Sequence, residues 1–236
     1  MSADIIISRR FCGPPNSGNG GYVSGMLAQA IHGDAQVTLH APPPLDTPLQ
    51  VRHTEEGVEL YHGELKVGSA RPYEFDMELP FAPDPIAAQA AEKRFEGLVQ
   101  HNLPGCFVCG TQRTAGDGLR IFAGHLEDQP GHVATIWQPD PSLADANGRV
   151  RDEFLWAALD CPGYFAVKEN AGVALLGRYA VKLLHPVYLD EVLIVSGWSR
   201  GHEGRKHYAG TALFREDGSV VAYAEATWIS LQKAAA

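Results

Sequence analysis

The amino-acid sequence predicts an α+β fold of two related halves, each a curved antiparallel sheet wrapped around a central helix. Three observations predict it: an ungapped internal repeat, a helical segment ahead of each copy, and a pair of strand-like runs behind each copy. The repeat aligns 37–51 (VTLHAPPPLDTPLQV) with 181–195 (VKLLHPVYLDEVLIV). Val37/Val181, Leu39/Leu183, Pro42/Pro186, Leu45/Leu189, Asp46/Asp190, Leu49/Leu193 and Val51/Val195 are identical, seven of fifteen positions. Each copy reads as a strand, a proline-marked bend with an acidic residue, and a second strand.

The helices come first in each half. A glycine-rich stretch, FCGPPNSGNGG, feeds an apolar, small-residue run and predicts a helix over 20–32. In the second half a helix is expected over 153–169, and its first part, Phe154 to Leu159, is apolar on every side. Such a helix has to be buried, and an antiparallel sheet curled around it is the simplest cover. Behind the first repeat copy, VELYHGELKVGSARPYEF gives two strands around His62-Gly63; behind the second, KHYAGTALF and SVVAYAEATWISL flank Asp217-Gly218. Asp-Gly between β-rich runs is a hairpin turn signal. Prolines open a linker over 81–103 in which AAQAAEKRFEGLVQ is expected as a surface helix. The expected units are therefore 1–80, the linker 81–103, and 104–236.

Composition bounds the partners. At 236 residues, 45% hydrophobic and 20% charged, the chain can bury a core without covalent staples. A net charge of -9 excludes nucleic acid as the main partner, because phosphate contacts need clustered Lys and Arg. No apolar run reaches the length of a membrane span, and the first residues lack the pattern of a signal peptide. The expectation is a cytoplasmic protein whose four cysteines, Cys12, Cys106, Cys109 and Cys161, stay reduced. Sheet edges and outer faces predict a homo-oligomer.

Three segments carry a family resemblance. CFVCGTQRTAGDGLRIF (106–122) resembles the opening of small hotdog thioesterases, where a CF-x-CG run leads to a glycine–leucine pair and a first strand. SGNGGYVSGMLAQAI resembles the glycine-pair start of the hotdog helix, and GRKHYAGTALFREDGSVVAYAEATW resembles the final hairpin. Over nearly its whole length the chain resembles a double-hotdog protein of the acyl-CoA thioesterase superfamily. The resemblance implies two tandem hotdog units with an active site between them. One unit supplies backbone N–H groups at a helix N-terminus, and the other supplies a carboxylate. In the small homodimeric members that carboxylate lies nine residues after the first position of a His/Asn-Gly-Gly start.

Carried onto this sequence, that spacing leads from Asn19-Gly20-Gly21 to Ala28, and from Arg151-Asp152-Glu153 to Asp160. Each half holds what the other lacks. One composite site is expected, with Asn19, Gly20 and Gly21 facing Asp160, and a dead mirror site at Ala28. The helix N-terminus would stabilise charge on a thioester oxygen, and Asp160 would act as base or nucleophile. Two plainer readings stand beside this: NSGNGG as a flexible helix cap, and Asp160-Cys161-Pro162-Gly163 as the end of one helix and the cap of another. A phosphate loop is disfavoured, since neither a GxGxxG register nor a following Lys-Ser/Thr is present.

An acyl channel is expected among Tyr22, Met26, Trp156 and Phe165, with Arg178, Lys182, Arg205 and Lys206 as holders of the coenzyme A phosphates. Coenzyme A enters only as part of the substrate; no other cofactor is expected. Cys106-x2-Cys109 lacks a second ligand pair, so no metal is expected and the thiols read as buried packing. The competing functions are a hydratase or dehydratase on the same fold, for which neither helix start carries the usual His, and a non-catalytic acyl-CoA-binding protein.

Overall fold

A computed structural model describes residues 4–231 of the chain. Eleven strands form one sheet in which every neighbouring pair is antiparallel. The first half contributes β1 (Ile5–Ile6), β2 (Ala35–Leu39), β3 (Pro48–His53), β4 (Val58–His62) and β5 (Leu65–Pro72). The second contributes β6 (Gly124–His125), β7 (His132–Trp137), β8 (Ala174–Leu183), β9 (Leu193–Glu203), β10 (Lys206–Phe214) and β11 (Val220–Ser230). The strand order is β1-β3-β4-β5-β2-β8-β11-β10-β9-β7-β6. Matching the repeat copies pairs β2 with β8, β3 with β9, β4 with β10 and β5 with β11. Outward from the centre the four matched pairs then follow the same order on both sides, with β1 beyond β3 on one edge and β7 and β6 beyond β9 on the other. The centre is the β2–β8 ladder, which runs from Ala35 opposite Val181 to Thr38 opposite Arg178.

α1 (Gly20–Ala28), α3 (Asp152–Ala158) and α4 (Asp160–Ala171) lie on one face of the sheet. α1 packs on the first-half strands and against α3, while α4 packs on β9, β10 and β11. Strand alternation feeds this core: Ala222, Ala224, Ala226 and Trp228 of β11 are all buried. The contact of α1 with α3 needs glycine. A Cβ on Gly21 would lie 2.8 Å from the Trp156 carbonyl oxygen, and one on Gly25 would lie 2.8 Å from the Glu153 Cα.

Two expected elements differ. The single helix over 153–169 is broken at Leu159 into α3 and α4. Pro162 has no N–H for the Ala158 carbonyl four residues back, so a continuous ladder is impossible there. Carbonyls at the break find side-chain donors: the Tyr179 hydroxyl donates to the Trp156 oxygen at 2.9 Å, and Thr211 Oγ1 to the Leu159 oxygen at 2.8 Å. The helix of the 81–103 segment starts earlier than expected and is shorter. α2 (Pro85–Ala91) is capped by Asp84, whose Oδ1 accepts from the Ala87 N–H at 3.0 Å, and has proline in its first turn. It gives way to 3₁₀ turns at Glu92–Arg94 and Glu96–Leu98 because Phe95, between them, enters the core and stacks on Phe122. Likewise, over 119–122, read as the start of a first strand, the chain is irregular, with Leu119, Ile121 and Phe122 buried, and strand pairing begins at β6.

The outer face of the second-half sheet is covered by the connecting chain. Tyr73 donates to Glu225 at 2.6 Å and Phe75 packs edge-on against Tyr223. Ala88 and Ala91 of α2 join Ile194, Trp198, Ala212 and Phe214 in a second apolar cluster. No described helix is long and apolar enough to cross a membrane.

Candidate active site

The loop 11–19 delivers Asn19 to the start of α1. Asn19 N–H donates to the Phe11 carbonyl at 2.8 Å, and Gly18 N–H to the Pro43 carbonyl at 2.9 Å, which pins the entry. Asn19 is the N-cap: its Oδ1 accepts from the Tyr22 N–H at 2.9 Å. The other end of the same amide, Nδ2, donates to Asp160 Oδ2 at 2.8 Å. Gly21 N–H donates to that oxygen as well, at 3.0 Å. The two halves therefore meet at one carboxylate oxygen. Among the described residues the Gly20 N–H has no acceptor.

Asp160 is 2% exposed. It is the first residue of α4 and faces the N-terminus of α1, so two helix dipoles favour its ionised form. Burial dominates nonetheless and pushes its pKa up to about 7, against the lowering effect of the Gly21 and Asn19 donors. Its second oxygen, Oδ1, is buried and has no hydrogen-bond partner. A group that is buried, half satisfied and at the positive end of a helix is unusual, because unpaired buried polar atoms cost about 1–3 kcal/mol each.

The mirror position is filled differently. Ala28 is buried, and the neighbouring Gln29 Nε2 donates to Glu153 Oε2 at 3.0 Å. Arg151 Nη1 stands 3.4 Å from Glu153 Oε1. At the start of α3, Glu153 thus occupies the place of Gly21, and its carboxylate is partnered on both oxygens.

The remaining expected site residues are spread between the core and the surface. Tyr22 stacks on Phe11 with a centroid separation of 4.2 Å, next to Phe107 and Phe154. Trp156 meets Tyr179 edge-on, Phe165 meets Phe95 edge-on, and Met26 packs half-buried on the core. None of the four lines either of the two cavities described below. Tyr179 points toward α3, so by alternation Arg178 points to the other side of the sheet, away from Asp160. There it lines an outer-face cavity of about 330 Å³ with Gln36, Tyr73, Arg200 and Tyr208. Lys182 pairs with Asp34 at 3.1 Å, and Arg205 and Lys206 are exposed at the β9–β10 turn.

A larger cavity, of about 600 Å³, lies beside the Asn19 loop and went unread in the sequence. It is lined by Arg9, Arg10 and Arg113, by Cys12 and Gly13, and by 102–105. It adjoins the site from both sides: a Cβ on Gly13 would lie 3.2 Å from the Asn19 Cα, and Gly105 precedes Cys106. Arg113 is fixed by the Gly105 carbonyl at 2.8 Å and Asp117 at 2.9 Å, and Arg10 by the Asp117 and Gly116 carbonyls at 3.0 and 2.8 Å. The Arg9-Arg10 pair directly before FCGPP was the available signal.

α4 brings Cys161 to Cys106 and Cys109, which the sequence separates from it by the whole of β6, β7 and α3.

No protein-family model matches the sequence, and no curated protein does. Solved structures do match. The chain is similar to a proposed thioesterase II from Thermobifida fusca (TM-score 0.62, 11% identity, 97% of this chain and 92% of that one). It is similar to a proposed thioesterase from Novosphingobium aromaticivorans (TM-score 0.61, 10% identity, 97% and 95%). It is also similar to the tesB protein of Mycobacterium avium subsp. paratuberculosis (TM-score 0.60, 14% identity, 93% and 89%). At these identities the likeness is one of fold. The chain shares the fold of these structures, a large antiparallel sheet with few helices, along nearly its full length.

Proposed function

We propose that the chain hydrolyses an acyl-CoA, or a related acyl thioester, at a single composite site between two tandem hotdog units, 1–80 and 104–236, joined by 81–103. The observation that carries this reading is Asp160: a buried carboxyl with one oxygen held by the opposite half and the other free, beside an unused Gly20 N–H. In this reading the thioester oxygen accepts from the Gly20 N–H at the positive end of α1, which stabilises the charge that develops on attack. Asp160 Oδ1 takes a proton from the attacking water, or itself attacks the carbonyl carbon to give an anhydride that water then opens. The coenzyme A thiolate leaves and takes up the proton. Asn19 and Gly21 hold the carboxylate in register; Asn19 acts through Asp160.

The anionic arm of coenzyme A is assigned to the cavity of Arg9, Arg10 and Arg113 in place of Arg178 and Lys182, which face the far side of the sheet. Guanidinium groups suit phosphate oxygens because their donors are planar and forked. The test is free-thiol release from a panel of acyl-CoA thioesters of graded chain length. The reading requires saturable turnover of at least one member; a folded protein that releases thiol from none would sink it. Consumption of an enoyl-CoA double bond without thiol release would establish the hydratase alternative instead.

A further inference from the structure

The sulfur atoms of Cys106, Cys109 and Cys161 all lie within 4.8 Å of one another, with Cys106 and Cys161 at 3.8 Å. All three residues are buried. Two come from a tight CxxCG turn that Gly110 closes by donating its N–H to the Cys106 carbonyl at 2.9 Å. A Cβ on Gly110 would sit 2.4 Å from that oxygen and 2.6 Å from the Pro104 oxygen, so only glycine completes the turn. Asn19 Nδ2 stands 3.9 Å from the Cys106 sulfur.

A tetrahedral ion about 2.3 Å from each thiolate spaces its sulfur ligands roughly 3.8 Å apart, which is the Cys106–Cys161 separation. Sulfur ligands select soft or borderline ions over Mg²⁺ and Ca²⁺. We propose that Cys106, Cys109 and Cys161 form a three-thiolate site for a thiophilic divalent cation of the zinc class, set beside Asp160 at the junction of the two halves. Binding releases the thiol protons to solvent and ties the 104–110 loop to the start of α4. The fourth position goes to water or to a protein oxygen. His101 is not a ligand, since its Nε2 is engaged by the Cys109 carbonyl at 3.0 Å. Cys12 lies outside the cluster and serves as the control. The proposal stands apart from the thioesterase reading, because its test reads metal and not turnover.

The full chain is purified under reducing, anaerobic conditions from cells grown with zinc, and in parallel with cobalt. Elemental analysis is expected to find one ion per chain. The cobalt form is expected to show thiolate-to-cobalt charge-transfer absorption of three-thiolate intensity. Chelator competition is expected to show binding weakened by on the order of 10²-fold or more in Cys161→Ser and unchanged in Cys12→Ser. Where a cysteine variant fails to fold, the wild-type protein decides: its Tm falls when a chelator removes the metal and recovers when Zn²⁺ is returned. Protein isolated with less than one ion and no thiolate-to-cobalt band overturns the proposal, as does a Cys106–Cys161 disulfide in reduced preparations or equal binding by Cys161→Ser.

Discussion

Replacing Gly21 by alanine probes the contact on which the site depends. The added Cβ would lie 2.6 Å from the Asp160 Cβ, 2.8 Å from the Trp156 carbonyl oxygen and 3.1 Å from the Ala157 Cα. Two of these are backbone atoms of α3, so the strain is relieved only by moving one helix away from the other. Overpacking of this kind costs about 1–3 kcal/mol. Alanine returns about 0.5–1 kcal/mol of helix preference over glycine. Taken at the middle of both ranges, the net loss is about 1 kcal/mol, a fall in Tm of about 2–4 °C for a chain of this length. The same movement lengthens the 3.0 Å hydrogen bond from Gly21 to Asp160, so thioester hydrolysis falls as well. Gly20→Ala is the matched control. Its Cβ meets mainly the Leu176 side chain, at 2.9 and 3.2 Å, and Leu39 Cδ1 at 3.3 Å, which can rotate. Thermal unfolding followed by circular dichroism measures both. A Gly21→Ala protein as stable as wild type, or a Gly20→Ala protein that is the less stable of the two, refutes the reasoning.

Three further outcomes follow from individual contacts. Tyr179→Phe leaves the Trp156 carbonyl without its hydroxyl donor at the α3–α4 break, and chemical denaturation should show a loss of about 1–3 kcal/mol. Asn19→Ala removes both the cap on Tyr22 N–H and a donor to Asp160; it should cost about 1–2 kcal/mol of stability and lower kcat more than it raises KM. Tyr73 keeps its proton to a pH of about 12 in the folded chain because burial and the Glu225 carboxylate oppose its ionisation. The folded pKa is raised, so its contribution is complete below the ordinary tyrosine pKa of 10.0 and is lost as pH rises toward about 12. A stability titration from pH 9 upward should fall less steeply in Tyr73→Phe.

Much of the strand pattern was legible because it is written in local signals. The repeat placed β2, β3, β8 and β9, and the turns at Gly63 and Gly218 placed the hairpins behind them. Asn19, Gly21 and Asp160 were paired through a family spacing, and the hydrogen bonds at 2.8 and 3.0 Å join those residues. What stayed hidden depends on which face of the sheet a side chain takes and on chain crossing. Arg178 has the right chemistry for a phosphate, but one residue of strand register sends it to the opposite side from Asp160. Arg113 meets Arg9 and Arg10 only because Phe107 N–H pairs with the Cys12 carbonyl at 2.8 Å. Cys161 joins the CxxC turn through the placement of α4, which no ligand spacing encodes. The helix break at Leu159 was announced by Pro162. It was read as an alternative to a functional Asp160, yet the break is what sets Asp160 at the head of α4.

The asymmetry of the two helix starts is the central claim, and one comparison tests it most directly: kcat/KM of Asp160→Asn against Glu153→Gln on the same acyl-CoA. Both substitutions remove a buried carboxylate charge at nearly constant volume, one at the half-satisfied position and one at the fully partnered mirror. The account predicts a fall of about 10²–10⁴-fold for Asp160→Asn and a value near wild type for Glu153→Gln. Wild-type activity in Asp160→Asn, or the larger loss in Glu153→Gln, would contradict it.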